Sequence, residues 1–259
     1  MLDSFLKVAI HASKTSGKIL VEYFEKLNDT YQKTENIRDL VTEVDKLSEK
    51  NIKGEIKKVF PSHSIIGEEL GEKMMESDYC WYIDPIDGTV NYSQGIPFCA
   101  ISIGLEYRKQ MIVGVVFNPF TKELFYTSKE NGSFLNGKRI QVSVKESLET
   151  GLYIAAFSSQ TTKTRGQEYK IFGEINDSTL GVLRTGSAAL SMAYLACGRI
   201  DGFWAKDLHS WDVAAGILLV QEAGGEVSDT RGRPYKFQTE LIASNCRLHG
   251  HLLKKLRNL

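Results

Sequence analysis

The segment "WYIDPIDGTVN", Trp81 to Asn91, brings an apolar run up to two aspartates three residues apart, Asp84 and Asp87, with Gly88 and Thr89 directly after. Pro85 fixes its own φ and pushes Asp84 toward an extended conformation, so the strand is expected to end there, its carboxylate projecting from the sheet edge. The glycine-threonine turn can offer backbone N–H groups to a phosphate with no side chain in the way. Two carboxylates held this close repel each other unless a divalent cation sits between them, and oxygen-only ligands point to magnesium or manganese. The plain alternative is an Asp-Pro turn followed by an Asp-Gly turn on a surface loop.

Three more acidic stretches bear on the same chemistry. In "IIGEEL", Glu68 and Glu69 follow a short apolar strand. Neighbouring strand residues point opposite ways, which makes Glu68 the candidate ligand and Glu69 its support; the alternative is a solvated edge. "HSWDVAAG" places Asp212 in the first turn of a long apolar helix, where an acid also interacts favourably with the helix N-terminus and needs no metal. In "RDLVTEVD", Asp39 and Asp45 are expected to flank the start of the second helix with Thr42 between them. Asp45 can hold an attacking water together with Thr89 or a metal-bound shell, while Asp39 or Thr42 can serve as a helix cap.

Positioning these groups takes a mixed fold. Leu2, Phe5, Leu6, Ala9, Ala12, Ile19, Leu20, Tyr23 and Phe24 recur at helical intervals and define an amphipathic first helix. A polar stretch, "NDTYQKTENIRDLVTEVD", separates it from a second helix expected from about Asp45 to Val59, before Pro61. From Ser64 onward come short apolar runs, "SIIGEE", "YCWYID", "CAISIGLEY", "MIVGVVFN" and "ELFYTS". Tight turns at "RKQ" and "NPFTK" join them, and "ENGSFLNGKRI" reads as a further hairpin. After Gly151 strands and helices alternate. "LYIAAF" precedes a helix near Gly166 to Phe172, "GVLRT" is a strand and "SAALSMAYLAC" a helix. "GFW" is a short strand, "WDVAAGILLVQEAGG" a helix closed by two glycines, and two strands and a final helix follow.

The chain has 259 residues, enough for a sizeable core, and its 32 basic residues balance 32 acidic ones. That balance gives no electrostatic reason to bind nucleic acid or an anionic membrane. Cys80, Cys99, Cys197 and Cys246 are scattered without CxxC spacing, which suits a reducing compartment. Charges interrupt the apolar positions of the N-terminal segment, so neither a signal-peptide core nor a membrane span is expected, and a cytoplasmic location follows.

In this order, "DLVTEVD", "GEE", "WYIDPIDGTVNY", "GSAALSMAYLACGRIDGF" and "WDVAAGILLVQEAGG" resemble the inositol monophosphatase family of magnesium-dependent, lithium-sensitive phosphatases, over almost the whole chain. The resemblance implies an α+β or α/β fold, a layered α-β-α-β-α sandwich of the inositol monophosphatase and fructose-1,6-bisphosphatase type, assembled as a homodimer. Residues 1–150 would form an N-terminal α+β half carrying most metal ligands, and 151–259 a C-terminal α/β half carrying the substrate contacts and Asp212, in one compact unit. By motif match, Glu68, Asp84 and the Ile86 carbonyl would hold a first magnesium, and Asp84, Asp87 and Asp212 a second. A weaker third ion would lie near Glu68. Gly88 and Thr89 match the phosphate-binding turn, and Asp45 and Thr89 the pair that orients the nucleophilic water. The implied chemistry is in-line hydrolysis of a small phosphate ester by magnesium-activated water, with no covalent phosphoenzyme.

Inositol 1-phosphate is the leading candidate substrate. Many inositol phosphatases carry a hydroxyl-binding glutamate seven residues before the helix aspartate, and this chain has Ala205 there, with Trp204, Lys206, Asp207 and His209 around it. Lys206 can favour a second anionic group or be an ordinary surface lysine, and Gly186 and Ser187 match the remaining substrate-contact segment. Fructose 1,6-bisphosphate, histidinol phosphate and 3′-phosphoadenosine 5′-phosphate are the other candidates, and a regulatory binding role on the same scaffold is the alternative of a different kind. Lys33 stands near a position where family members carry a lysine, one residue further from "DLVT".

Overall fold

Two helices open the chain, α1 (Leu2–Thr30) and α2 (Ile37–Val59). They belong to a computed structural model that describes residues 2–30, 37–157, 165–237 and 240–257; Lys33 lies outside these. α2 begins earlier than its sequence suggests and contains both Asp39 and Asp45. The cause is visible in its buried stripe, Val41, Val44, Ser48, Ile52 and Ile56, whose helical spacing continues upstream of Asp45.

The first sheet comprises β1 (Ser64–Gly67), β2 (Gly71–Lys73), β3 (Tyr79–Asp87), β4 (Ala100–Tyr107), β5 (Gln110–Asn118), β6 (Glu123–Ser128), β7 (Ser133–Leu135) and β8 (Lys138–Ile140). Its order is β2-β1-β3-β4-β5-β6-β7-β8, and only β1 and β3 run parallel. The turn residues Arg108 and Lys109 have φ of 48° and 63°, and Asn136 and Gly137 have 48° and 84°, as two-residue hairpin turns of the primed types demand. A short helix, α3 (Thr89–Ser93), joins β3 to β4.

Asp84 does not end its strand, and it is not at a sheet edge. β3 lies between β1 and β4 and continues through Pro85 to Asp87, with the register shifting between Asp84 and Asp87. Such a bulge leaves a residue outside the ladder, which is where a proline without an N–H is tolerated in an interior strand.

The second sheet contains β9 (Leu152–Ala156), β10 (Gly181–Leu183), β11 (Gly202–Lys206), β12 (Gly225–Ser228) and β13 (Glu240–Asn245), in the order β10-β9-β11-β13-β12. Four helices accompany it: α4 (Arg165–Asp177), α5 (Ala188–Ala196), α6 (Ser210–Glu222) and α7 (His249–Leu256). α1 and α2 cover one face of the first sheet, α5 and α6 lie between the sheets, and α4 and α7 cover the far face of the second. The result is the layered α-β-α-β-α sandwich.

α6 has no solvent face over much of its length, and Val213 through Val220 are all buried. A helix apolar all round belongs between two layers. It approaches the first sheet closely because Gly104 and Gly114 face each other across β4 and β5. A methyl group on Gly104 would stand 2.8 Å from the Ala214 Cβ, and one on Gly114 2.7 Å from the Ala215 carbonyl oxygen. This glycine pair sets the height at which Asp212 reaches the sheet. Among the described residues, no helix is long and apolar enough to cross a membrane.

Candidate active site

β3 delivers Asp84 and Asp87 to the space between the layers, β1 ends one residue before Glu68, and α6 brings Asp212 in its first turn. Glu68, Asp84, Ile86, Asp87, Gly88, Thr89 and Asp212 line one cavity of about 330 Å³, with Gly186 and Ser187 on its other side. A larger groove of about 960 Å³ runs between α1 and the first sheet, lined by residues such as Ile10, Val21, Phe117 and Leu124. Among the described residues Glu22 is the one acid in its lining, so the concentration of carboxylates marks the smaller cavity as the place for chemistry.

Asp84 is 2% exposed, and its Oδ1 accepts the Ile86 N–H at 3.0 Å. Burial raises its pKa well above the usual carboxylate range, and Glu68, Asp87, Asp212 and Asp45 each raise it further. Glu68 has an exposed flank, yet protein packed about its carboxyl group lifts its pKa to about 7, against a hydrogen bond with Asp84 that lowers it. Burial likewise takes Asp212 to about 7, with Asp87 adding to the effect. The His209 N–H donates to Asp212 Oδ2 at 2.8 Å, so Asp212 does satisfy its own helix N-terminus while also facing Asp84 and Asp87.

Asp87 is tied to the second half of the chain. Its Oδ1 accepts the Ala188 N–H at 3.1 Å, its Oδ2 the Ala189 N–H at 2.7 Å, and the Ser187 hydroxyl donates to the same Oδ2. These bonds oppose the desolvation of Asp87 and limit the rise of its pKa to about 6. A strand of the first sheet thereby caps the N-terminus of α5.

Asp45 is 2% exposed, and its Oδ1 has no hydrogen-bond partner. Burial pushes its pKa to about 8, and Glu69, Glu68 and Glu49 push in the same direction. The Thr89 hydroxyl donates to the Ile86 carbonyl at 3.0 Å. Gly88 precedes α3 with φ of 96°, a conformation that favours glycine.

As they stand, no three His, Cys, Asp or Glu side chains among the described residues are set around a common point as ligands. The carboxylates are turned instead toward one another and toward backbone N–H groups. The donor set nevertheless fits a hard divalent cation: all oxygen, mutually repelling, largely buried, with one orphaned oxygen on Asp45. Each Asp84 neighbour raises its proton affinity, and a cation would relieve that repulsion.

Sequence reading missed several parts of the cavity wall. Arg184 lines it with its guanidinium 4.7 Å over the Phe157 ring, and Phe203 and Leu208 also reach it. Only the adjoining "TGS" offered a hint. Ala205 is fully buried in β11. Lys206 is not a solvated surface lysine: its side chain is 12% exposed and its Nζ lies 4.0 Å from Glu240.

The sequence model of one family matches residues 1–259: the chain belongs to the inositol monophosphatase family. Among its relatives is the inositol-1-monophosphatase of Synechocystis sp., 38% identical over 257 residues, covering 98% of this chain and 89% of that protein. The fructose-1,6-bisphosphatase/inositol-1-monophosphatase of Aquifex aeolicus is 36% identical, covering 98% and 95%. The crystal structure of the extragenic suppressor protein suhB from Bartonella henselae superposes with a TM-score of 0.90 at 33% identity, covering 98% of this chain and 99% of that one.

Proposed function

We propose that this protein is a magnesium-dependent phosphomonoesterase acting on a small polyol or sugar phosphate, with inositol 1-phosphate the first substrate to try. The observation that carries the proposal is the meeting of Glu68, Asp84, Asp87 and Asp212, from both halves of the chain, at one cavity where Glu68, Asp87 and Asp212 each raise the proton affinity of Asp84. Family membership and the names of the Synechocystis and Aquifex relatives support the same class of reaction.

Glu68, Asp84 and the Ile86 carbonyl would hold one magnesium, Asp84, Asp87 and Asp212 another, and a weaker third would lie near Glu68. When bound, magnesium supplies Lewis acidity and lowers the pKa of its water. Gly88 and Thr89 receive the phosphate oxygens through backbone N–H groups. Asp45, whose proton affinity burial lifts to near neutrality, takes the proton from the attacking water, and Thr89 helps to orient that water. Gly186 and Ser187, with Arg184, face the leaving polyol. We expect a homodimer that lithium inhibits.

Phosphate release from inositol 1-phosphate, fructose 1,6-bisphosphate, histidinol phosphate and 3′-phosphoadenosine 5′-phosphate, with magnesium and then with a chelator, tests the proposal. Magnesium-dependent turnover that Asp84→Asn abolishes supports it. A Pseudomonas aeruginosa relative, 36% identical over 262 residues, is named Nus factor SuhB, and that name favours a second reading, a partner-binding role on the same scaffold. Cellular function intact in Asp84→Asn would point there.

A further inference from the structure

α2 carries more than Asp45. One turn further on, Glu49 is fully buried and lines no part of the cavity, although its charge adds to the repulsion felt by Asp45 and Glu68. A buried carboxylate that worsens the electrostatics of its neighbours needs a compensating task. Its contacts supply one. Oε2 accepts the Glu69 N–H at 2.7 Å and Oε1 the Leu70 N–H at 3.1 Å. Lys53 Nζ lies 2.5 Å from Glu49 Oε1 and donates to the Gly71 carbonyl at 3.0 Å.

The turn from Gly67 to Gly71 is thus gripped by one helix through three of its backbone groups. From the other side, the Glu68 N–H donates to the Ile83 carbonyl at 3.3 Å, one residue before Asp84. Gly67 is what lets α2 come so close: a Cβ there would stand 2.2 Å from Glu49 Oε1. Asp45, Glu49 and Lys53 recur every four residues and so share a helix face. One rigid element therefore carries the acid that faces water and fixes the turn that presents Glu68.

We infer that Glu49, charge-balanced by Lys53, is a positioning residue that holds the Glu68 turn in register with Asp45 and Asp84 and thereby sets the affinity of the site for divalent metal. The inference rests on Glu68 being a metal ligand, as proposed above. Partners that orient ligands from behind typically govern metal affinity by about 10- to 100-fold.

The test uses Mn²⁺ alone as the probe, with binding to the full chain followed by electron paramagnetic resonance and by calorimetry, alongside metal-activation kinetics. Glu49→Ala is expected to raise the Mn²⁺ dissociation constant about 10- to 100-fold and the magnesium concentration for half-maximal activity in parallel, while kcat at saturating metal changes much less. Glu49→Gln restores one acceptor and turns an amide toward the other N–H, so its loss falls between wild type and Glu49→Ala. A merely structural residue would lower thermal stability without moving the metal affinity of the folded protein. Should Glu49→Ala fail to fold, Glu49→Gln decides on the same scale. Wild-type Mn²⁺ affinity in the folded variant overturns the inference when Asp84→Asn binds weakly. If Asp84→Asn also binds Mn²⁺ like wild type, the metal centre itself is misassigned and the inference falls with it.

Discussion

Asp45→Asn should make the metal-free protein more stable, and more so at high pH than at low. Asp45 titrates near 3.8 in the unfolded chain and at about 8 when folded. A folded pKa above the unfolded one means that the native state binds the extra proton, so stability falls as pH rises from about 4 to about 8. At 1.36 kcal/mol per pH unit, keeping this side chain in place costs about 3 kcal/mol at pH 6 and about 5 kcal/mol at pH 8. Asparagine carries a fixed cost for burying its amide, which cancels between the two pH values. The advantage of Asp45→Asn over wild type should therefore grow by about 2 kcal/mol from pH 6 to pH 8, or about 4–8 °C in Tm. Thermal unfolding of both proteins in a chelator, at both pH values, measures it. An advantage equal at both would show that Asp45 does not titrate in this window, and the assignment of its Oδ1 as an uncompensated group would be wrong. Turnover of Asp45→Asn at saturating magnesium should fall by about 10²- to 10⁴-fold, as loss of a general base does.

The other carboxylates should act together in the same sense. Asp84, Asp212, Glu68 and Asp87 all have raised folded pKa values, so the wild-type Tm in a chelator should decline between pH 5 and pH 8, and the gain on adding magnesium should increase with pH; a gain independent of pH would contradict this. Gly114→Val places atoms against the Ala215 carbonyl and should cost about 1–3 kcal/mol while weakening metal binding through displacement of α6, both readable from thermal unfolding with and without magnesium. Asp201 is 1% exposed and accepts from Ser143, from the Lys145 ammonium and from the Leu152 N–H. Asp201→Ala should lose about 1–3 kcal/mol in denaturant unfolding, through the donors it leaves unpaired, with kcat and metal affinity unchanged, because none of these residues lines the cavity.

Legibility followed the physics of each signal. Periodicity over many residues made α1, α5 and α6 readable, and turn residues with alternating apolar runs located most strands of the first sheet. β2 was missed because Gly71, Glu72 and Lys73 are all exposed and carry no apolar alternation, and α3 because five residues are too few to show a period. Asp84, Asp87 and Glu68 could be singled out because paired acids beside glycine are chemically conspicuous, whereas Asp212, a lone acid in the first turn of a helix, became a candidate ligand only through the family resemblance. What Asp87 does for α5 could not be read, since its partners lie 100 to 102 residues away and are mostly backbone N–H groups. The start of α2 was misplaced because polar residues on its solvent side hid a stripe that Val41 and Val44 extend. Glu49 looked like one more charge on a helix; its task depends on a turn that only packing brings near.

Because α6 is apolar on every side, the order in which the ribosome releases the chain matters. The first sheet is complete at Ile140, yet the helix that covers its inner face ends at Glu222, roughly 80 residues later. At typical synthesis rates that is on the order of 4–16 s during which Val116, Phe125 and the glycine platform face water. The nascent protein spends that interval with one wall of the acidic cavity unbuilt and a broad sticky surface uncovered, so its yield in the cell should depend on chaperone capacity more than the stability of the finished fold would suggest.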